Sequence, residues 1–504
     1  MYDYVIIGSG LGGLISAVIL AKEGKKVCVL EKNNQYGGNL QTFVREKVIF
    51  DTGVHYIGSL GKDEILYKYF KYVGIIDDLK LNQLDIKGYD RICFGDDPIE
   101  YPHAQGYENF IEQLRPYFPE EEKTLQIYCE TLKEMCNAFP LYRLDNNSEY
   151  NQENLSINCK KFIENLTSNK KLQSILLGTN MLYAGTYEHT PLYVHALSIN
   201  SYIESAWKCM LGGSQITKLL IQQLRKYNAD VFKHQEVSSF TFDENRKIKS
   251  VITKQGKEFS AQNFISNIDI KTTIKLAGEE HFKKAYRNRI SQLRPVIGIF
   301  SVYLKIKPNT LPYLNYNIYW HKNIDSVWIT EDKNSAEFFP ESFMISMSPP
   351  KKDTSFTDNI SLLTYMNYNE VKKWENTFNT KTNINERGED YELFKKEKAE
   401  KMIAILEKLF PNIRECINGI YTSTPLTYRD YIGSFEGNAY GYDKDANSPM
   451  ASFFTPQTHI QNLFVTGQTV NMHGILGVTI GAVRTCGHLL GKEYLMDKIK
   501  NETC

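Results

Sequence analysis

The sequence predicts an α/β protein in which a Rossmann-type unit is interleaved with a second domain of mixed sheet and helices. Three observations predict it. Tyr4 to Ile7, a glycine turn, a helical run from about Gly12 to Glu23, and Lys26 to Glu31 form a βαβ unit within about 30 residues. Pieces of similar texture recur around Gly212 and again from Leu463 onward. The stretches between them have other periodicities, so the chain leaves the first domain and returns to it.

Taken in order, Tyr4 to Ile7 reads as a short buried strand, and Gly8-Ser9-Gly10-Leu11-Gly12-Gly13 after it satisfies GxGxxG. Gly8 permits the tight turn, Gly10 lets the backbone approach a pyrophosphate, and Gly13 lets helix and strand pack closely. The helix start presents N–H groups and a positive dipole end to that pyrophosphate. Glu31 closes the second strand 18 residues after Gly13. A carboxylate there accepts hydrogen bonds from an adenosine ribose and repels a 2′-phosphate, which excludes NADP from this site.

An irregular region with Gly37-Gly38 and Phe50 to Tyr56 comes next. Residues 106 to 210 read as mainly helical, with Phe162, Ile163, Leu166, Leu172 and Leu176 at helical spacing on a core face. Gly212-Gly213-Ser214 opens a helix through about Lys226, with strands near Asp230 to Phe232 and Lys249 to Thr253. Val296 to Ile306, Phe343 to Met347 and Ile360 to Met366 predict a second sheet, and Tyr391 to Leu409 a charged helix. Leu463 to Thr466 is a strand, followed by a loop and a helix from about Gly477 to Leu490. Gly474, Gly477 and Gly481 share one bare helical face, open to a ligand or to close packing against a strand. A flavin dinucleotide needs contacts along a longer molecule than NAD, and two distant glycine-rich sites favour FAD.

Composition narrows the function classes. The 504 residues carry 59 basic and 59 acidic side chains, so chain-wide binding of nucleic acid is excluded. With 33 Tyr and 26 Phe the chain is far too aromatic for disorder. Nine cysteines, odd in number and without CxxC, fit neither a zinc site nor a disulfide framework, and no metal is expected. The uncharged run from Val5 to Ala21 contains four glycines and is short for a membrane span of about 20 residues.

The N-terminal fingerprint, Phe50-Asp51-Thr52-Gly53-Val54-His55-Tyr56-Ile57-Gly58 and Val465-Thr466-Gly467-Gln468 together resemble the retinol saturase family. That family belongs with the phytoene desaturase and carotenoid isomerase flavoproteins. Leu211 to Ser214, Val296 to Val302, Asn315 to Tyr319, Ser423 to Thr427 and Gly437 to Gly441 extend the resemblance over essentially the whole chain. It implies a glutathione-reductase-like, Rossmann-type FAD-binding domain of residues 1–70, 205–295 and 415–504, interleaved with a mixed-sheet and helical substrate domain of residues 71–204 and 296–414. It also implies noncovalent FAD held by segments containing Gly8, Gly10, Leu11, Gly12, Gly13, Glu31, Lys32, Gly38, Asn39, Val237, Gly467, Gln468, Gly477 and Val478. Animal members carry an N-terminal secretory segment, whereas this chain starts at the first strand, so the expected location is cytoplasmic with at most peripheral membrane contact.

By the same resemblance the reaction is redox chemistry on a carbon–carbon double bond of a lipophilic polyene, foremost its saturation. Desaturation and cis–trans isomerisation are the rival reactions. A lipid-binding escort akin to the Rab GDP-dissociation inhibitors is the rival outside enzymes, and the intact Gly467 to Gly477 region speaks against it. Saturation needs a hydride and a proton. The candidate proton donors are His55, Tyr56, Tyr440 and His473, each also readable as a structural or wall residue; His473 stands where the family does not usually carry histidine. A second GxGxxG is lacking, so reducing equivalents are expected from an external donor, NAD(P)H or a separate protein.

Overall fold

In the computed structural model the apolar N-terminal run folds as strand β1 (Tyr2–Ile7), helix α1 (Leu11–Lys22) and strand β2 (Val27–Leu30). The structure describes residues 1–95, 97–145, 152–328, 339–350, 355–381, 384, 386–470 and 472–503. Every residue of α1 from Leu11 to Ala21 is buried, because helices Ser214–Lys226 and Gly474–Leu490 pack against it. The uncharged run is therefore a strand, turn and core helix. Among the described residues no helix is long and apolar enough to cross a membrane.

The first sheet runs Asp230–Phe232, β2, β1, Glu258–Ser266 and Leu463–Val465, all parallel. Glu258–Ser266 serves two partners on one edge. Its first residues pair antiparallel with Ile248–Thr253, which pairs in turn with Val237–Phe242, and its last residues pair with Leu463–Val465. Ligands of open α/β sheets bind beyond the carboxyl ends of the strands. Here those ends deliver Gly8, Glu31, Asn267 and Gly467 to one edge, from three distant parts of the chain.

The second sheet has seven strands in the order Ile417–Ser423, Gly298–Ile306, Asn359–Met366, Ser342–Met347, Asn317–His321, Asp90–Phe94 and Tyr101–His103. Only Asn317–His321 and Asp90–Phe94 run parallel; the other pairs are antiparallel. The three runs expected to form a second sheet all lie in it. The helical reading of residues 106 to 210 also holds, though Cys159–Leu166 and Lys170–Leu176 are separate helices whose Ile163, Leu172 and Leu176 are buried.

Three expectations need correction. The C-terminal helix starts at Gly474, not Gly477, and the strand expected from Val296 starts at Gly298. Ile417–Ser423, assigned to the third FAD-domain segment, instead pairs with Gly298–Ile306 at the edge of the second sheet. Its alternating exposure matches an edge strand, and helix Pro425–Ile432 follows it.

That helix is anchored by Asp430, whose side chain is fully buried. Its carboxylate accepts from Arg387, from Arg429 Nε at 2.8 Å and from the Asn379 amide at 2.8 Å. Removing one partner of such a pair strands a buried charge, which costs about 3–5 kcal/mol. Asp430→Ala is expected to lower the thermal unfolding midpoint, read by circular dichroism, more than removal of the exposed Glu46 from its pair with Lys305.

Candidate functional site

The dinucleotide turn is built around one side chain that the sequence reading missed. Asn267 follows the parallel strand Glu258–Ser266; its amide donates to the Ile7 carbonyl at 2.9 Å and its Nδ2 to the Gly8 carbonyl at 3.3 Å. A Cβ on Gly10 would stand 2.9 Å from Nδ2, and one on Gly12 or Gly467 would stand 2.7 Å from Oδ1. A Cβ on Gly13 would meet the Gly8 carbonyl at 2.3 Å. The glycines are thus required by packing on Asn267 and on the turn itself. The Gly10 direction differs from the expectation, since its missing side chain points at Asn267. The available signal was the polar turn directly after the apolar run Phe264-Ile265, followed by Asp269, which caps the next helix.

A cleft of about 630 Å³ opens above this node, within the range of about 300–1,000 Å³ usual for small-molecule sites. Gly8, Gly10, Leu11, Gly12, Glu31, Lys32, Gly38, Asn39, Val237, Gly467, Gln468 and Val478 line it; Gly13 lies behind the lining against the Gly8 carbonyl, and Gly477 lines a neighbouring cavity instead. Glu31 is buried, and its Oε2 accepts from Ser9 N at 3.2 Å and Ser9 Oγ at 2.5 Å while Oε1 accepts from Asn33 N at 2.8 Å. A carboxylate has about four acceptor sites, so capacity is left for a ribose. Burial pushes the Lys32 ammonium downward, with Glu31 opposing. Asn39 Nδ2 donates to Gln468 Oε1 at 3.2 Å, tying the two glycine-rich segments together.

The cleft fits an elongated ligand carrying polar groups along its length. Four buried polar atoms of its lining residues, His55 Nε2, Gln235 Oε1, Ser434 Oγ and Thr466 Oγ1, have no hydrogen-bond partner among the described residues. Each such atom costs about 1–3 kcal/mol if left unsatisfied. Gly38 at φ +56° and Gly467 at φ +95° add backbone bare enough for close approach.

The four candidate proton donors differ sharply in surroundings. His55 is pushed down to about 3 by burial and by Lys208, so it is a neutral imidazole. His473 is likewise pushed down to about 4 by burial, and its Nε2 lies 3.0 Å from the Leu182 carbonyl; it occupies the N-cap position of helix Gly474–Leu490 without capping it. Tyr440 donates to the Met181 carbonyl at 2.9 Å, and its ring lies tilted against His473 with centroids 4.6 Å apart.

Tyr56 alone of the four reaches a carboxyl group. Its hydroxyl lies 2.8 Å from Asp90 Oδ2 and 2.7 Å from the Tyr319 hydroxyl, and both tyrosines line the cleft. Asp90 is fully buried beneath them and its Oδ1 accepts from Asn317 Nδ2 at 2.9 Å. Burial pushes the Asp90 carboxyl up to about 7, against the pull of Asn317, Tyr56 and Lys208. Lys208 is itself buried, donates to the Met347 carbonyl at 2.9 Å and is pushed down to about 7 by burial. Asp90, Lys208 and Asn317 were missed, because a charge between Tyr89 and Arg91 reads as surface polarity until strand pairing buries it.

A second, largely apolar cavity of about 440 Å³ adjoins the first; Leu182, Tyr202, Gly474 and Ile475 belong to both. Helix Gly474–Leu490 forms one of its walls, and the helical layer opposite supplies Leu141, Tyr142, Tyr193 and Leu197.

Comparison with known proteins bears out the resemblance read from the motifs. Residues 6–73 match the NAD(P)-binding Rossmann-like domain. All-trans-retinol 13,14-reductase of Homo sapiens is 27% identical over 99% of this chain and 87% of its own length. The chloroplastic prolycopene isomerase of Arabidopsis thaliana is 23% identical over 99% of this chain and 85% of its own. Among solved structures, an oxidoreductase from Methanosarcina mazei superposes with a TM-score of 0.64 at 15% identity, over 95% of this chain and 98% of that one, which shows the shared fold.

The packing around Asn267 yields a test. Gly12→Ala places a methyl 2.7 Å from Asn267 Oδ1 and 3.1 Å from the Gly467 backbone, so the turn must shift. The variant is expected to keep its far-ultraviolet circular dichroism while bound dinucleotide, measured per chain after acid release, falls at least tenfold. Full occupancy would show that the turn does not hold the ligand.

Proposed function

We propose that this oxidoreductase binds FAD noncovalently in the 630 Å³ cleft and saturates a carbon–carbon double bond of a lipophilic polyene drawn from the adjoining cavity. The observation that carries this reading is the junction of the two spaces at Leu182, Tyr202, Gly474 and Ile475, where an apolar channel meets a dinucleotide cleft. The nearly full-length similarity to the human reductase supports the substrate class. Gly8 to Gly12 would receive the pyrophosphate, Glu31 the ribose, and Val237 the adenine end. The FAD domain is read as residues 1–70, 205–295 and the chain after Ile432, with an external electron donor such as NAD(P)H.

The hydride for one carbon of the double bond is the chemistry that FAD would supply when bound and reduced in the cleft lined by Gly8 to Gly12, Glu31 and Gln468. The chain must exclude water, hold the polyene across the junction and give a proton to the neighbouring carbon. Tyr319 is the donor, Tyr56 the relay and Asp90 the source. With Asp90 protonated, its hydroxyl donates to Tyr56, Tyr56 donates to Tyr319, and the Tyr319 proton points into the cleft. With Asp90 ionised, Tyr56 donates to it and the chain of hydrogen bonds runs the other way. The proton that leaves Tyr319 is replaced from Tyr56 and then from Asp90, which ends as a carboxylate. Tyr440 and His473 are wall residues, their polar atoms facing the carbonyls of Met181 and Leu182. His55 serves as a neutral hydrogen-bond partner for the bound dinucleotide.

Two measurements test the reading. Tyr319→Phe removes the terminal donor and is expected to lower kcat by about 10²–10⁴-fold at unchanged flavin content. The wild-type rate is expected to fall as pH rises through about 7, where Asp90 loses its proton, and Asp90→Asn to abolish that limb. An unaltered rate in Tyr319→Phe would dismiss the relay.

The reaction itself is read by mass spectrometry after anaerobic incubation of reduced protein with a conjugated polyene in deuterated water. Saturation adds two deuterium atoms, because both transferred hydrogens come from exchangeable positions. An isomer of unchanged mass, or a product with lengthened conjugation formed by oxidised protein, would overturn saturation in favour of isomerisation or desaturation.

A further inference from the structure

The 440 Å³ cavity is apolar over most of its wall but not neutral. Lys444, Arg484 and Lys492 line it, and among its described lining residues there is no aspartate or glutamate. Two of the cations are fixed to one short segment. Lys444 Nζ donates to the Ser452 carbonyl at 3.2 Å, and Arg484 Nη1 donates to the Phe454 carbonyl at 3.2 Å with its guanidinium 4.9 Å from the Phe453 ring. Positive charge is therefore gathered beside residues 452–454, of which Ser452 and Phe453 line the cavity.

Lys444 is the telling group. An ammonium has three N–H donors, and the Ser452 carbonyl, a neutral acceptor, occupies one of them. Its sequence neighbour Asp443 is engaged elsewhere, accepting from Arg294 Nη2 at 3.0 Å. His473, close by, is neutral and adds no negative charge. Desolvating an ammonium against an apolar chamber is costly unless an anion joins it. Burial accordingly pushes Lys444 down to about 8, with Asp443 only partly opposing.

We propose that this cavity is a subsite for an amphiphile with an anionic headgroup, so that the substrate is a polyene carboxylate whose acid group pairs with Lys444 while its chain lies along the Gly477 and Gly481 face toward the junction. The inference rests on the double-bond reading for the polyene, not for the carboxylate. A hydrocarbon carotenoid or a retinoid alcohol would bring no anion to the Lys444 ammonium. A single-chain acid satisfies Lys444 and fills the apolar wall at once.

The test is equilibrium binding to the oxidised holoprotein, followed by quenching of intrinsic fluorescence at pH 7, with three probes: all-trans-retinoic acid, all-trans-retinol and palmitate. The acid is expected to bind at least tenfold more tightly than the alcohol. Lys444→Met should abolish that preference and Lys444→Arg should keep it, with flavin content checking that both variants fold. Equal affinities for acid and alcohol, or a preference that survives Lys444→Met, overturns the subsite. Lys444-dependent binding of palmitate without conversion of any polyene would keep the anionic subsite and defeat the polyene reading. Conversion of retinol with no Lys444 effect would do the reverse.

Discussion

The structure depends on how closely three chain segments can approach the side chain of Asn267. The turn after β1, the turn after Leu463–Val465 and the end of Glu258–Ser266 converge there, and glycine at positions 10, 12 and 467 is what lets them do so. Neighbouring parallel strands are about 4.8 Å apart, so turns at their carboxyl ends crowd one another unless side chains are removed. The cleft follows from this crowding. The start of α1 lines the cleft, where a helix dipole attracts an anion.

The second constraint is the buried polar cluster carried by three strands of the second sheet, Asp90–Phe94, Asn317–His321 and Ser342–Met347, with Tyr56. Asp90, Asn317, Ser346, Tyr56 and Tyr319 are linked by hydrogen bonds of 2.7–2.9 Å within an otherwise apolar body. The parallel pairing of Asn317 with Asp90 brings amide and carboxyl together. Such a network is stable only when each member is satisfied, and one that ends at a cleft can also carry a proton. The energetic penalty of burying Asp90 is the same effect that brings its carboxyl near neutrality. Lys208 is buried too, donates to the Met347 carbonyl and is pushed down to about 7 by the same effect.

Much of the first body was legible in the sequence because its signals are local. The βαβ unit announces itself through a continuous apolar strand, a glycine turn, an apolar helix and Glu31, all within contiguous residues. Gly467 and the C-terminal helix were readable for the same reason, with the helix start misplaced by three residues. Asn267, Asp90 and Lys208 were not legible, because each is an ordinary polar residue until distant strands bury it. The edge strand Ile417–Ser423 was assigned to the wrong body, since nothing local tells a strand which sheet will accept it. Tyr319 lay inside a recognised stretch, yet its hydrogen bond with Tyr56 joins residues 263 positions apart.

The central claim is that the cleft over Asn267 is a flavin site. Acid release from the purified chain, with the supernatant identified by absorbance and mass, tests it most directly. The account predicts a yellow protein that yields close to one FAD per chain, with none left covalently attached. Release of a nicotinamide dinucleotide, or a colourless protein that fails to bind added FAD, would contradict it.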